Sequence, residues 1–160
     1  MLALDVASEA SIAQFPAALD AASVAAIDVL VHNAGVSAPT HPVDPFATAT
    51  GSALRHCFEV NAVGPLLLTQ ALLPRLRAGT AKKIFFVSSI MGSIESTASG
   101  GSVSYRTSKA AVNMLGKCLA GEHGIGTDKA CSMTKMFTNS IHFEKVYPCL
   151  LSYANTTILM

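Results

Sequence analysis

Along the chain, short apolar runs rich in β-branched residues alternate with longer stretches whose apolar positions recur every three or four residues. Leu2 to Val6 is such a run and reads as the tail of a buried strand. Ser8 then offers an N-cap, and Ile12, Phe15 and Leu19 follow at helical spacing up to the alanine-rich stretch near Ala25. Ile27-Asp28-Val29-Leu30-Val31 predicts a second strand that stops at the turn Asn33-Ala34-Gly35. Pro39 to Thr50, rich in Pro, Thr and Ala, predicts a surface loop. Ser52 to Leu76 predicts one long helix with apolar positions at Leu54, Phe58, Val63, Leu67, Leu72 and Leu76. Lys82 to Ser88 predicts a further strand, and Glu95 to Ser102 a flexible Ser/Thr/Gly loop. A helix over Val103 to Gly121 follows, with Gly124 as its stop signal. Strand and helix in steady alternation indicate a parallel α/β sheet. From Ile125 to Met160 neither period holds. Val146 to Met160 could supply a strand or two, and Pro148 argues against a central one.

Composition narrows the class. At 160 residues the chain suits one domain with a real core. Apolar residues are 51% and charged residues 13%, a balance expected where helices cover both faces of parallel strands. A net charge of +1 gives no case for nucleic acid or an anionic membrane. The longest apolar run, around Pro65 to Leu73, is too short and interrupted to span a bilayer, and the start lacks the pattern of a signal peptide. Cys57, Cys118, Cys131 and Cys149 form no C-x-x-C pair, and the five histidines show no ligand spacing, so no metal site is expected. Free thiols and a cytoplasmic protein are the expectation.

Chemistry gathers at strand ends, where doubly wound sheets bind ligands. Asp5, then Asn33-Ala34-Gly35, then Ser88 and Ser89 each close a predicted strand. Tyr105 and Lys109 open the next helix, four residues apart and therefore on one face. A cation beside a phenol favours the phenolate, as a proton-exchanging tyrosine requires. Ser89 can hydrogen-bond a carbonyl oxygen; Ser88 reads as a residue that satisfies strand-end backbone groups. Asn61 lies inside the long helix, and Pro65 lacks the N–H that would bond its carbonyl, so the helix should kink there.

Together Asn33-Ala34-Gly35, Asn61, Ser89-x-x-Gly92 and Tyr105-x-x-x-Lys109 resemble the short-chain dehydrogenase/reductase family, in particular its small carbonyl-reductase-like (C-signal-like) members. His32 stands where the family motif has a first asparagine, and still offers a donor and an acceptor. The resemblance implies Tyr105 as general acid/base and Lys109 as the group that activates it and holds the nicotinamide ribose. It implies Ser89 orienting the carbonyl and Asn61 completing a proton relay. Asp5 and Val6 would contact the adenine, and Asn33, Ala34 and Gly35 would line the site of NAD or NADP. It further implies a small ketone, aldehyde or secondary alcohol as substrate and a homodimer through the two long helices.

The resemblance covers residues 1–124, leaving 125–160 as an unmatched and irregular tail. The fold expected is α/β, a partial Rossmann-like doubly wound parallel sheet lacking the first two strands and the C-terminal strands. The glycine-rich turn that receives the pyrophosphate has no counterpart in the sequence. With that strand order, Leu2 to Val6 is expected to shift in beside Ile27–Val31 and cover an otherwise open apolar edge. Two functions remain in view: an NAD(P)-dependent oxidoreductase, and a catalytically inactive member without cofactor binding. The missing turn favours the second for the chain as written.

Overall fold

The computed structural model describes residues 2–39, 43–121, 131–132 and 157–159. Helix α1 (Glu9–Ala21) begins where the sequence places it, with Ser8 in extended backbone accepting the Ser11 N–H at 3.2 Å. Ile12, Phe15 and Leu19 form its buried face, and α1 packs beside α3 (Gly64–Ala78). Arg75 secures that contact, donating to Asp20 at 2.7 Å and to the Pro16 carbonyl at 3.0 Å.

Strand β1 (Val29–His32) is buried along its whole length. It pairs in parallel with β2 (Lys83–Phe86), Val29 opposite Lys83 and His32 opposite Phe86. Buried Asp28 fixes the approach to both strands, accepting from the Thr80 N–H at 2.6 Å and the Thr80 hydroxyl at 2.7 Å. Leu30, Ile84 and Phe86 meet Leu68, Leu72 and Leu76 of α3 and Val112 of α4 (Val103–Gly121) in one core.

The helix predicted over 52–76 is interrupted as the Pro65 argument requires. It runs as α2 (Gly51–Phe58), a π segment (Glu59–Val63) and α3. In the π segment the Gly64 N–H reaches back to the Glu59 carbonyl. The buried face is Ala53, Cys57, Val60, Asn61, Leu68, Leu72 and Leu76. Of the expected positions, Leu54 is exposed and Phe58, Val63 and Leu67 are half-buried.

Leu2 to Val6 does not pair with β1, contrary to expectation. Both edges of β1 are taken, by β2 and by β4 (Thr157–Leu159), which runs parallel with Leu30 opposite Ile158. The first segment is instead folded into the start of α1. The Asp5 N–H donates to Ser11 Oγ at 3.0 Å, and the Asp5 carbonyl accepts the Ser8 N–H at 3.2 Å. With Asp5 held in that turn and both edges of β1 occupied, the segment adds no strand to the sheet. The tail, which shows no period, contributes β4 and a second short strand, β3 (Cys131–Ser132), parallel to β2; the sheet order is β3-β2-β1-β4. Gly124 and Pro148 lie outside the described residues. No helix among the described residues is long and apolar enough to cross a membrane.

Candidate active site

Lys109 lies in the second turn of α4, almost fully buried at 3% exposure. Its Nζ donates to the Val87 carbonyl at 2.8 Å, just past the end of β2, and stands 5.7 Å from the centre of the Tyr105 ring. Burial pushes the Lys109 amine below its ordinary value. Tyr105, one turn earlier, is half-buried. The two side chains therefore share a face and a location, as their spacing predicts.

Asn61 projects from the π segment and ties two elements together. Its Oδ1 accepts the Val36 N–H at 2.8 Å, while its Nδ2 donates to the Val36 carbonyl at 2.9 Å and to Ser108 Oγ at 2.9 Å. Ser108 in turn donates to the Tyr105 carbonyl at 2.8 Å. The turn after β1 is thus clamped against α4. Gly35 stands in that turn, where a Cβ would lie 3.2 Å from Lys109 Nζ and 3.4 Å from Asn61 Oδ1. A side chain there would fill the space beside the amine; its absence fits a ribose laid over the turn. Ala34 is half-buried and Asn33 exposed.

Past β2, Ser89 caps a 3-10 turn (Ile90–Gly92), accepting the Met91 N–H at 3.2 Å. The turn packs tightly on α4: a Cβ at Gly92 would meet Lys109 backbone within 3 Å. Only glycine permits that approach, which sets the Ser89 turn against the helix segment that carries Lys109. Ser88 is buried and donates to Asn113 Oδ1 at 2.5 Å, and Asn113 Nδ2 donates to the Gly92 carbonyl at 3.1 Å. Both sides of Ser89 are therefore fastened to one residue of α4.

His32 is 4% exposed, with Nε2 2.8 Å from Thr69 Oγ1 and its ring stacked on Phe86 at 4.8 Å. Burial lowers its pKa to about 3, so the neutral ring acts as a strut between β1 and α3. Asp5 and Val6 stand apart from this cluster. Asp5 Oδ1 accepts the Ala7 N–H at 2.9 Å, and the Val6 carbonyl packs against Gly64 at the head of α3. A cleft of about 190 Å³ between α3 and α4, lined by Leu66, Thr69, Phe86 and Leu115 among others, contains none of Asn61, Ser89, Tyr105 and Lys109.

Sequence reasoning passes over Asn113, Ser108 and Asp44. Asn113 follows Lys109 by four residues, on the stripe that Tyr105 begins, and that periodicity could have found it. Asp44, 4% exposed inside the stretch read as a surface loop, carries no local signal.

The sequence pattern of the short chain dehydrogenases matches residues 1–127. The chain belongs to this family. C-signal of Myxococcus xanthus is 42% identical over 88 residues, 55% of this chain and 51% of that protein. The short chain dehydrogenase gsfK of Penicillium aethiopicum is 38% identical over 124 residues, 75% of this chain and 48% of its own. Among solved structures, the NADPH-bound carbonyl reductase from chicken fatty liver superposes with a TM-score of 0.64 at 32% identity, covering 76% of this chain and 52% of that one. The fold is accordingly that of the Rossmann-type short chain dehydrogenases. The chain spans about half the length of the curated relatives it matches.

Proposed function

We propose that this site serves an oxidoreductase that interconverts a ketone or aldehyde with the corresponding alcohol, using NAD or NADP. The observation that carries the reading is the buried Lys109 amine, pinned to the Val87 carbonyl beside the Tyr105 ring. A bound nicotinamide would supply or accept the hydride. Tyr105 would give its proton to the carbonyl oxygen during reduction and take it back during oxidation. Lys109 would stabilise the phenolate so formed and hold the ribose hydroxyls near Gly35. Ser89 would orient the carbonyl by a hydrogen bond. Asn61 would fix the turn that carries Gly35 and connect the amine to solvent. Similarity to the chicken enzyme, a carbonyl reductase with NADPH bound, supports both cofactor class and reaction.

Asp5 and Val6 as adenine contacts, and Asn33 and Ala34 as part of the cofactor wall, belong to the same proposal. So do the division at residue 124 and a cytoplasmic setting. Exposed Leu54, Leu66 and Met114, at 36%, 39% and 62% exposure on α2, α3 and α4, support a homodimer through these helices.

One observation favours a second reading, an inactive member without cofactor binding. In the doubly wound order the strand that carries the phosphate-binding turn lies beside the fourth strand. Here β4, from the part of the chain beyond the family match at residues 1–127, occupies that side of β1. Titration with NADH and NADPH, followed by nicotinamide fluorescence, separates the two. Saturable binding and turnover of a carbonyl substrate, both expected, support the oxidoreductase. Tyr105→Phe should then lower turnover by roughly a hundredfold to ten-thousandfold with cofactor affinity nearly unchanged; an equally active variant removes Tyr105 from the mechanism. No binding of either cofactor establishes the inactive reading.

A further inference from the structure

Tyr105 is the third residue of α4, within a first turn whose N–H groups have no partner inside the helix. A local N-cap needs extended backbone. Ser102, just before the helix, stands at φ 50° instead, although its carbonyl accepts the Arg106 N–H at 2.8 Å and starts the ladder. The cap comes from Asp44. Its main-chain carbonyl accepts the Val103 N–H at 3.1 Å, and its Oδ2 accepts the Ser104 N–H at 3.1 Å and the Ser104 hydroxyl at 2.6 Å.

This arrangement carries a cost. Asp44 is buried, and Oδ1 has no partner among the described residues. Burial raises the pKa of the Cys57 thiol on α2, and the Asp44 charge adds to the effect. A buried carboxylate with one unpaired oxygen is unfavourable unless its remaining bonds matter. Both bonds of the carboxylate end on Ser104 and the main-chain bond of Asp44 on Val103, the two residues that precede Tyr105. From the opposite side Asn61 reaches Ser108, which donates to the Tyr105 carbonyl.

We infer that Asp44 is a positioning residue, a remote N-cap that keeps the first turn of α4 wound and so holds Tyr105 beside Lys109. The inference rests on the proposed role of Tyr105 for its purpose, but its test does not. The chain has three tyrosines, so labelling them with 13C at the ring ζ carbon gives few signals, and Tyr105→Phe identifies the one wanted. Amide hydrogen exchange is measured in parallel on the whole chain.

Asp44→Ala should move the Tyr105 signal and speed exchange of the amides from Val103 to Arg106 at least tenfold, leaving β1 and β2 protected. Asp44→Asn keeps an acceptor of the same shape and should restore both readouts, and Ser104→Ala should shift the Tyr105 signal in the same direction by less. An unchanged signal and unchanged first-turn exchange in Asp44→Ala overturn the inference. So does an Asn variant as disturbed as the Ala variant. Loss of protection throughout the molecule in Asp44→Ala would assign Asp44 to the core instead, and overturns it too. If wild-type turnover is absent while these shifts occur, the reaction proposal fails and the cap stands.

Discussion

Burial disfavours the charged form of Lys109, so its pKa in the folded chain lies below the 10.5 of the unfolded one. The unfolded chain therefore holds more protons in the window just below 10.5, and stability rises with pH through it. Lys109→Met should flatten that rise and leave the melting temperature at neutral pH unchanged or higher, while turnover falls at least about a hundredfold; a variant melting well below wild type would show that the bond to Val87 outweighs desolvation. His32 obeys the same sign at lower pH. Its folded value of about 3 lies below the ordinary 6.5, so stability is complete above 6.5 and declines as pH falls toward 3. Between pH 7 and 5 the loss from this residue should be about 2 kcal/mol. Urea unfolding of His32→Asn at both pH values should show a drop smaller by that amount; an equal drop in both proteins would place the acid sensitivity elsewhere. The sequence shows that His32 can serve as donor or acceptor. It cannot show the Thr69 hydroxyl or the Phe86 ring, because both partners come from other elements.

At the scale of elements, the Asn61–Pro65 pair is legible. A proline cannot return the hydrogen bond that its fourth predecessor offers, whatever surrounds it. The form of the answer, a π segment with Asn61 turned toward the Val36 backbone and Ser108, depends on what lies across the helix. Asn61→Ala would leave the part-buried Val36 N–H and carbonyl without their partner and take one bond from the buried Ser108 hydroxyl. It should destabilise the chain by about 2–4 kcal/mol, on the usual cost of orphaned buried polar groups. Chemical denaturation measures this, and a loss under about 1 kcal/mol would mean that water replaces the side chain without penalty. Ahead of the π segment the buried phase of the long helix differs by one position from the expected one, and beyond it Leu68 is buried in place of Leu67 while Leu72 and Leu76 are buried as expected. An apolar stripe with leucines at 66, 67 and 68 does not state which one faces the core.

For the whole molecule, the open edge of β1 is a problem that the strand pattern exposes and that β4 solves, within the stretch 146–160 where the sequence allows a strand. An unpaired apolar parallel strand invites association, and β4 covers it. Deleting Thr157–Met160 should therefore produce concentration-dependent self-association, read by light scattering at fixed pH; a monodisperse variant identical to wild type would show that β4 does not guard the edge. The sequence by itself determined the α/β alternation, the sharing of one helix face by Tyr105 and Lys109, the Ser8 cap and the break before Pro65. Each of these follows from the geometry of a few neighbouring residues. Only the tertiary structure decided that Val87 receives the Lys109 amine, that Asp44 caps α4 and that the tail covers the edge of β1. Those pairings join distant parts of the chain, and their outcome depends on which backbone groups other segments have left unsatisfied.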